Sequence, residues 1–449
     1  KQPFWHQPHA WAPRAQAMRA CCARRRTVAG DVAGAEGPRS GGSPTDPLLA
    51  AVRRPMGGDF AAAALTPEFW QALSAKRPLH VPAAAAQLTE HLALDAVADA
   101  MARGGEVGAT SATKRGEAYM RGDSIFLAYL DQASLSLSGA ERLCPPLFEV
   151  CEALSPSSFD YVTARLVLEP PDAQTSALVT DSDLLAIQLR GERRVSIAQS
   201  IAGLPVSAPR PQPLLSATIR PGDVLFVPSA LECRSSATTQ AFSVQAASAA
   251  PTLDGPGPAL YALITLRSSD QVVGTSLGKY LNDLLRQAPL SKEADDFLRS
   301  AITSRTRSIV GDEELLAKAA KELASHVNAA GLREHYRARM AKLREEQKRG
   351  AAKAAAAAAT ATPRGVTGAS RVRVADGVTA RCKEGDSVAH FSRGSDTLRL
   401  PIAETASYLI ADLSDGRPHV VSTLRCADDF EKICVCHILV QKECLEIIT

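Results

Sequence analysis

The closest grouping of potential metal ligands in this sequence lies near its C-terminal end. Cys434, Cys436, His437 and Cys444 fall within one short stretch. Thiolate and imidazole groups are the usual ligands of zinc, but this spacing fits none of the common structural zinc arrangements. The pattern therefore favours a fraying or spurious C-terminal tail over residues 426–449 rather than a zinc site.

A second chemical feature is a concentration of positive charge on a predicted helix. Residues 313–349 form a pattern of leucine, alanine and charged residues. Its basic side chains gather at the end of the segment: Arg333, Arg337, Arg339, Lys342, Arg344, Lys348 and Arg349. A pattern of this kind usually forms a solvated helical face. Contact with ribosomal RNA is the alternative, although Tyr336 is the only aromatic residue among them that could stack on a base.

The composition describes a globular chain without a strong charge bias. The chain has 449 residues, 45% of them hydrophobic, which is enough for two or three domains with a substantial core. Its 51 Lys and Arg against 48 Asp and Glu give a net charge of +3, too small to indicate a nucleic-acid partner by itself. Ten scattered cysteines indicate a reducing compartment rather than a disulfide scaffold. No stretch approaches the roughly 20 apolar residues that a membrane span requires.

The first 58 residues differ in composition from the remainder. Residues 1–30 carry several arginines and no acidic residue, a bias shared by transit peptides and basic nuclear arms. Residues 31–58 are rich in glycine, proline and serine, which bury too little apolar surface to order a chain. We expect residues 1–58 to form a disordered basic leader and linker.

The middle of the chain predicts a β-barrel. Residues 161–168 alternate, residues 184–189 form a continuous apolar run, and residues 193–197 form a third strand. A tight turn at 221–223 precedes a further strand, and residues 241–245 close the set. Many short strands with glycine and proline turns and almost no helix between them indicate a barrel or jelly roll.

Four motifs accompany these strands. They are Phe69-Trp70 with Lys76-Arg77-Pro78-Leu79, then Leu168-Glu169-Pro170-Pro171, then Asp183 to Gln188-Leu189-Arg190-Gly191-Glu192-Arg193-Arg194, and last Pro221-Gly222-Asp223-Val224-Leu225-Phe226-Val227-Pro228. In order and spacing they resemble the Jumonji-C ribosomal oxygenases, which are bifunctional lysine-specific demethylases and histidyl hydroxylases.

The resemblance implies a mainly β chain with α-helices. We expect a double-stranded β-helix (cupin or jelly-roll) Jumonji-C domain with N-terminal helices at 59–255, and a helical dimerisation region at 256–350. An alanine-rich linker at 351–370 and a winged-helix-like domain at 371–425 follow, ahead of the tail. Within the dimerisation region we predict helices at 260–266 and 277–285, and a further helix from residue 292.

The family implies Fe(II) and 2-oxoglutarate as cofactors. Such an iron site needs two histidines and one carboxylate. Depending on the register chosen, the family's ligand positions fall on Leu178 or Val179, on Thr180 or Asp181, and on Cys233, while a further family histidine falls on Gln245. Between residues 92 and 324 the chain contains no histidine. The sequence therefore predicts that the iron triad has been replaced.

Arg193 occupies the position at which the family has a lysine that pairs with the far carboxylate of 2-oxoglutarate. A guanidinium group could make that contact in a bidentate manner. The alternative is an exposed strand arginine beside Arg194.

Two functions remain open at this point. In the first, the protein is a degenerate oxygenase that acts as a binding module for a ribosomal protein or a histone. In the second, it is an active 2-oxoglutarate dioxygenase, a histidyl hydroxylase or lysine demethylase, with a rearranged metal site that uses Asp181 and Cys233. The resemblance implies a homodimer in the nucleus or nucleolus, and the basic leader offers a mitochondrion or plastid as the alternative.

Overall fold

The computed structural model describes residues 56–448 except for several short segments. The segments left out are 108, 115–116, 120–123, 156–158, 172–177, 180, 201–210, 238–256, 268–270, 288–289, 300–312, 361–364 and 384. Residues 1–55, which hold most of the predicted leader, lie outside the described part, as do Thr180 and the strand predicted at 241–245.

Two antiparallel sheets form the centre of the molecule. The larger sheet has the strand order β1-β10-β7-β12-β5-β4-β2-β3 and the smaller one β6-β11-β8-β9. The strands are β1 (Leu79–Val81), β2 (Ala109–Lys114), β3 (Glu117–Ala118), β4 (Ser134–Ser138), β5 (Thr163–Glu169), β6 (Leu178–Val179), β7 (Asp183–Arg190), β8 (Arg193–Gln199), β9 (Leu215–Ile219), β10 (Val224–Val227), β11 (Leu231–Ala237) and β12 (Ala259–Arg267). This double-sheet arrangement confirms the predicted cupin or jelly-roll class.

The central strands of the larger sheet, β10, β7 and β12, are buried on both faces. In β7, Leu184 and Ala186 point between the two sheets, whereas Leu185 and Ile187 pack against the helical side. Successive side chains of a strand point to opposite faces, so a strand covered on both faces reads as a continuous apolar run. The predicted strands at 161–168, 184–189 and 193–197 are confirmed as β5, β7 and β8.

The helix predicted at 260–266 is wrong, because these residues belong to strand β12. Tyr261 and Leu263 lie between the sheets, and Leu260 and Ile264 lie on the opposite face. β12 pairs with β5 on one side and with β7 on the other. Because β12 is buried on both faces, its sequence is an unbroken apolar run, and such a run does not distinguish a strand from a helix. The barrel therefore extends beyond the boundary predicted at residue 255.

Six helices of the described chain precede the barrel strands β5–β12. They are α1 (Met56–Ala64), α2 (Pro67–Ala75), α3 (Ala86–His91), α4 (Leu94–Val107), α5 (Ile125–Leu130) and α6 (Pro145–Leu154). α2 begins with Pro67 in its first turn, and the Thr66 hydroxyl accepts a hydrogen bond from the Phe69 N–H at 3.3 Å. A short 3₁₀ turn, Ala140–Arg142, leads into α6.

Among the described residues, four helices lie between β12 and β13 (Arg371–Val374). They are α7 (Val273–Gln287), α8 (Lys292–Arg299), α9 (Glu313–His326) and α10 (Ala329–Thr360). α7 and α8 confirm the helices predicted at 277–285 and from residue 292. The alanine-rich residues up to Thr360 continue α10, and Ala354 is buried against the core. None of the described helices is long and apolar enough to cross a membrane.

The C-terminal part contains two three-stranded sheets and two helices. Its elements are β13 (Arg371–Val374), β14 (Val378–Arg381), β15 (Val388–Arg393), β16 (Asp396–Pro401), α11 (Ser407–Leu413), β17 (His419–Val420), α12 (Asp429–Gln441) and β18 (Leu445–Ile448). The sheets have the orders β17-β13-β18 and β14-β15-β16. The winged-helix assignment stays a prediction.

The prediction that residues 426–449 fray is wrong. α12 is buried along most of its length, and β18 pairs with β13 through Leu445 opposite Val374. Phe430 packs edge-on against Tyr129 of α5, with ring centroids 4.8 Å apart. The helix is apolar on nearly every side because it is a core element, and its cysteines are small buried hydrophobic residues.

Candidate functional site

One end of the barrel interior holds a fixed guanidinium group. Arg193 begins β8 directly after the β7–β8 turn, and its side chain lies inside the barrel with 4% of the residue exposed. Its guanidinium carbon lies 3.4 Å from the centroid of the Tyr261 ring. The Arg193 Nε donates to Gln188 Oε1 at 2.9 Å. The Gln188 amide in turn donates to the carbonyls of Arg190 and Gly191, at 2.6 and 3.1 Å. The turn therefore fixes the orientation of the arginine.

A buried tyrosine and carboxylate stand beside this arginine. The Tyr261 hydroxyl donates to Glu169 Oε1 at 2.7 Å. Burial raises the pKa of Tyr261 well above its ordinary value, and the neighbouring Glu169 carboxylate raises it further. Tyr261 therefore stays protonated and serves as a donor and as a ring surface for Arg193.

The alternative prediction, that Arg193 is an exposed strand arginine, is wrong, because its side chain is buried. The neighbouring Arg194 is exposed. The terminal nitrogens of Arg193 form no hydrogen bond with any residue in the described ranges. They are the donors that a carboxylate would use in a bidentate contact. That Arg193 holds the carboxylate of 2-oxoglutarate stays a prediction.

The paired strands β6 and β11 bring the expected metal-ligand positions together. Cys233 is the direct backbone partner of Leu178, and Glu232 is the partner of Val179. Leu178 rather than Val179 therefore lies opposite Cys233, and the choice between the two registers stays open. Asp181 is exposed. Thr180 and Gln245 lie outside the described residues.

These residues do not suit an iron centre. Leu178 has no donor atom, and burial raises the pKa of the Cys233 thiol to about 11, against the opposing effect of Arg193. Together Leu178 and Cys233 offer one sulfur atom and no imidazole. Within the described ranges, no three His, Cys, Asp or Glu side chains are grouped closely enough to hold a metal ion. The arrangement therefore does not fit a site of two histidines and one carboxylate.

The opposite end of the barrel opens into a cleft of about 500 Å³. Asp183, with 1% of the residue exposed, accepts two hydrogen bonds from Lys76 Nζ, at 2.7 and 2.8 Å. The Ser229 N–H donates to the same carboxylate at 2.9 Å. Lys76 is the residue that ends α2, in the left-handed conformation with φ 51°. The motif that begins at Lys76 thus joins the first helices to the barrel.

A second carboxylate fixes the turn that precedes β10. Asp223 accepts hydrogen bonds from the Ala83 and Arg220 N–H groups, at 2.9 and 3.0 Å, and contacts His80 Nε2 at 2.9 Å. Burial would raise the pKa of Asp223, but the two N–H groups and His80 outweigh it and lower the pKa. The turn needs Gly222, whose φ is +90° and which lies too close to Ala86 for a Cβ to fit without movement.

Sequence reasoning located Arg193 but missed its surroundings. Glu169 and Lys76 belong to motifs that were recognised, yet nothing in those motifs indicates that Glu169 bonds to Tyr261 or that Lys76 bonds to Asp183. Tyr261 was assigned to a helix, which concealed its place in the barrel.

No family model matches this chain, and no curated protein matches it. The structure is similar to that of the ribosomal oxygenase YcfD from Escherichia coli in complex with cobalt and 2-oxoglutarate. The identity is 10%, the match covers 85% of this chain and 98% of that chain, and the TM-score is 0.41. Another structure of the same oxygenase gives a TM-score of 0.42 at 10% identity and the same coverage.

A second structural neighbour is smaller. It is an RmlC-like cupin protein from Methanocaldococcus jannaschii with a double-stranded β-helix fold, matched at 10% identity over 24% of this chain and 70% of that chain, with a TM-score of 0.16.

Proposed function

We propose that this protein is an oxygenase-like binding module, in which a cupin barrel binds a protein partner without iron-dependent turnover. The observation that supports this most strongly is the pairing of Leu178 with Cys233 across β6 and β11. The family resemblance requires histidine ligands at these positions. A hydrocarbon side chain cannot bind a metal, and a single thiol could replace only one of the two imidazoles.

The charges of the cleft support a basic protein segment as the partner. The cleft is lined by three carboxylates, those of Asp160, Asp181 and Asp183, and by the cations Lys76 and Arg267. Lys76 is paired with Asp183, so the carboxylates of Asp160 and the exposed Asp181 remain against the single cation Arg267, which leaves the cleft with an excess of negative charge. Ribosomal proteins and histones supply such segments. A partner of this class therefore agrees with both the resemblance and the local charge.

The interior arginine supports a second, smaller ligand. With the Arg193 guanidinium held by Gln188 and Tyr261, a dicarboxylate such as 2-oxoglutarate or succinate would be bound at one end only. A charge-assisted contact of this kind contributes roughly 1.5–3 kcal/mol. We therefore expect weak binding without metal.

The alternative proposal is an active dioxygenase with a rearranged metal site. It is favoured by the position of Asp181 and Asp183 on the same cleft. Against it, the Asp183 carboxylate already accepts hydrogen bonds from Lys76 and from the Ser229 N–H. A metal would have to displace both.

Peptide binding and turnover, measured on the same preparation, test the proposal. We expect a histone-tail peptide to bind the full chain and the double variant Asp160→Asn with Asp181→Asn to bind it several-fold more weakly. Glu443→Gln, which removes an exposed carboxylate elsewhere, is the control. No succinate should be released from 2-oxoglutarate. Coupled succinate release and peptide hydroxylation would support the alternative. Equal peptide binding by the wild-type protein and the Asp160→Asn, Asp181→Asn double variant would refute the role of the cleft.

We also propose that the protein forms a homodimer through α7. Leu277, Leu281, Leu284 and Leu285 lie on this helix and are only partly buried in the single chain. A second copy of the chain could bury this partly covered apolar face, because a self-complementary surface forms a two-fold symmetric dimer.

A further inference from the structure

The outer face of the three-stranded sheet β14-β15-β16 carries a row of basic side chains. Strand register places Arg381 opposite His390, and His390 opposite Arg399. The two arginines are exposed, and His390 is partly exposed between them. Neighbouring strands lie about 4.8 Å apart, so this basic row extends about 10 Å across the sheet.

The inner face of the same sheet packs against the core. Ala389, Phe391 and Leu400 alternate along the strands with the residues of the basic row, and all three are buried. Successive side chains of a strand point to opposite faces, so the burial of these residues directs the basic row outward. The row therefore stands on a packed sheet rather than on a loop.

The basic row lacks the carboxylate partners that other arginines in this part of the chain have. Arg373 is paired with Glu446 at 3.4 Å, and Arg425 with Asp412 at 2.6 Å. No side chain of the basic row has an ion pair or a hydrogen bond with another described residue. Like charges side by side on one face of a sheet destabilise it. An anionic group bound across the row would remove this repulsion.

A row of hydroxyl groups lies next to the basic row on the same face. Thr379 is opposite Ser392, and Ser392 is opposite Thr397, each two residues along its strand from a member of the basic row. The Ser392 and Thr397 hydroxyl oxygens are 3.4 Å apart. Two residues of a strand span about 7 Å. Arginine and hydroxyl side chains are the groups that contact the phosphates and sugars of nucleic acids.

The spacing and the residue types of this face favour double-stranded RNA as the anionic partner. Each strand of a duplex carries one phosphate per about 3.4 Å of helix axis, so a row of about 10 Å can contact two or three phosphates. Hydroxyl side chains can donate to and accept from the ribose 2′-hydroxyl, which DNA lacks. The outer positions of β14, β15 and β16 carry no Phe, Tyr or Trp on which unpaired bases could stack.

We propose that this outer face of β14-β15-β16 binds the backbone of double-stranded RNA without reading its sequence. Arg381 and Arg399 donate to phosphate oxygens, and the hydroxyls of Thr379 and Thr397 contact the ribose groups beside them. The inference does not depend on the function proposed for the barrel.

Fluorescence anisotropy of the full chain with a labelled RNA duplex of arbitrary sequence tests this surface. Arg381→Gln with Arg399→Gln should weaken binding at least about tenfold, because charge-assisted contacts with phosphates are lost. The same variant should reduce the slope of log K against log salt concentration by about 2. Arg393→Gln with Arg417→Gln is the matched control, since it removes two exposed arginines that lie off this face. The control should change the affinity and the slope far less.

A DNA duplex of the same sequence should bind several-fold more weakly than RNA. Thr379→Val with Thr397→Val, which keeps every charge, should reduce that difference. The proposal is overturned if the RNA duplex does not bind at micromolar concentration, if both arginine double variants weaken binding equally, or if DNA binds as tightly as RNA. It is also overturned if poly-glutamate displaces the labelled RNA as effectively as unlabelled RNA does, which would indicate an acidic protein as the partner.

Discussion

Replacement of the buried carboxyl group Glu431 by glutamine should remove a specific pH dependence of stability. Glu431 lies on α12 with 5% of the residue exposed; it accepts from the Ala403 N–H at 2.8 Å and contacts the Cys426 thiol. Burial raises the pKa of Glu431 from 4.5 to about 7, and the nearby Asp428 adds to the effect. The folded state therefore retains a proton that the unfolded chain releases.

The sign and the size of the effect follow from this difference. Between pH 4.5 and about 7 the folded state binds more protons at Glu431 than the unfolded state, so the free energy of unfolding falls as the pH rises. Each pKa unit corresponds to about 1.36 kcal/mol, so the free energy of unfolding falls by about 3 kcal/mol between these two pH values. Above the higher pH, Glu431 causes no further change. Glutamine keeps the shape and the Ala403 contact but does not titrate.

Urea denaturation of wild type and Glu431→Gln over that pH range measures the effect. The variant's stability relative to wild type should rise by about 3 kcal/mol from acid to neutral pH. Taking the difference cancels His437, which titrates in both proteins, whereas the effect of Asp428 on Glu431 is part of the measured difference. Glu443→Gln, whose side chain is 82% exposed, is the control and should show a constant difference. A constant difference for Glu431→Gln would refute the assignment of a buried, protonated carboxyl.

Three further predictions concern the barrel and the assembly. Arg193→Ala should abolish the weak metal-free binding of 2-oxoglutarate in calorimetry; equal affinity in both proteins would show that the arginine does not face the ligand. Lys76→Met should lower the free energy of unfolding by about 1–3 kcal/mol, because Asp183 stays buried with only its Ser229 contact, and an unchanged denaturation midpoint would contradict this. Light scattering should give twice the chain mass, and Leu281→Asp with Leu285→Asp should halve it; a monomeric wild type would defeat the dimer.

The barrel could be predicted from the sequence because the apolar pattern of each strand reflects its burial and because turn residues separate the strands. β5 alternates, β7 is an unbroken apolar run between turn residues, and Gly222 marks a turn that only glycine accommodates readily. β12 and α12 could not be assigned in the same way. Both are covered on nearly every side by residues distant in sequence, so their apolar patterns lack the period that separates a strand from a helix.

The site was predictable only in part, for a related reason. The type and position of Arg193 suggested a carboxylate partner, but its contacts with Tyr261 and Gln188 depend on strand register. The identities of Leu178 and Cys233 already indicated a lost metal site. Their pairing depends on the meeting of β6 with β11, which no local pattern encodes.

An anaerobic titration of the metal-free protein with Fe(II), followed by calorimetry, tests the central claim most directly. Because the resemblance implies ligand positions that fall on Leu178 or Val179 and on Cys233, none of which is an imidazole, we predict no saturable binding near one iron per chain, with or without 2-oxoglutarate. Stoichiometric, saturable iron binding that Asp181→Asn or Cys233→Ser abolishes would contradict the account and establish a rearranged metal centre.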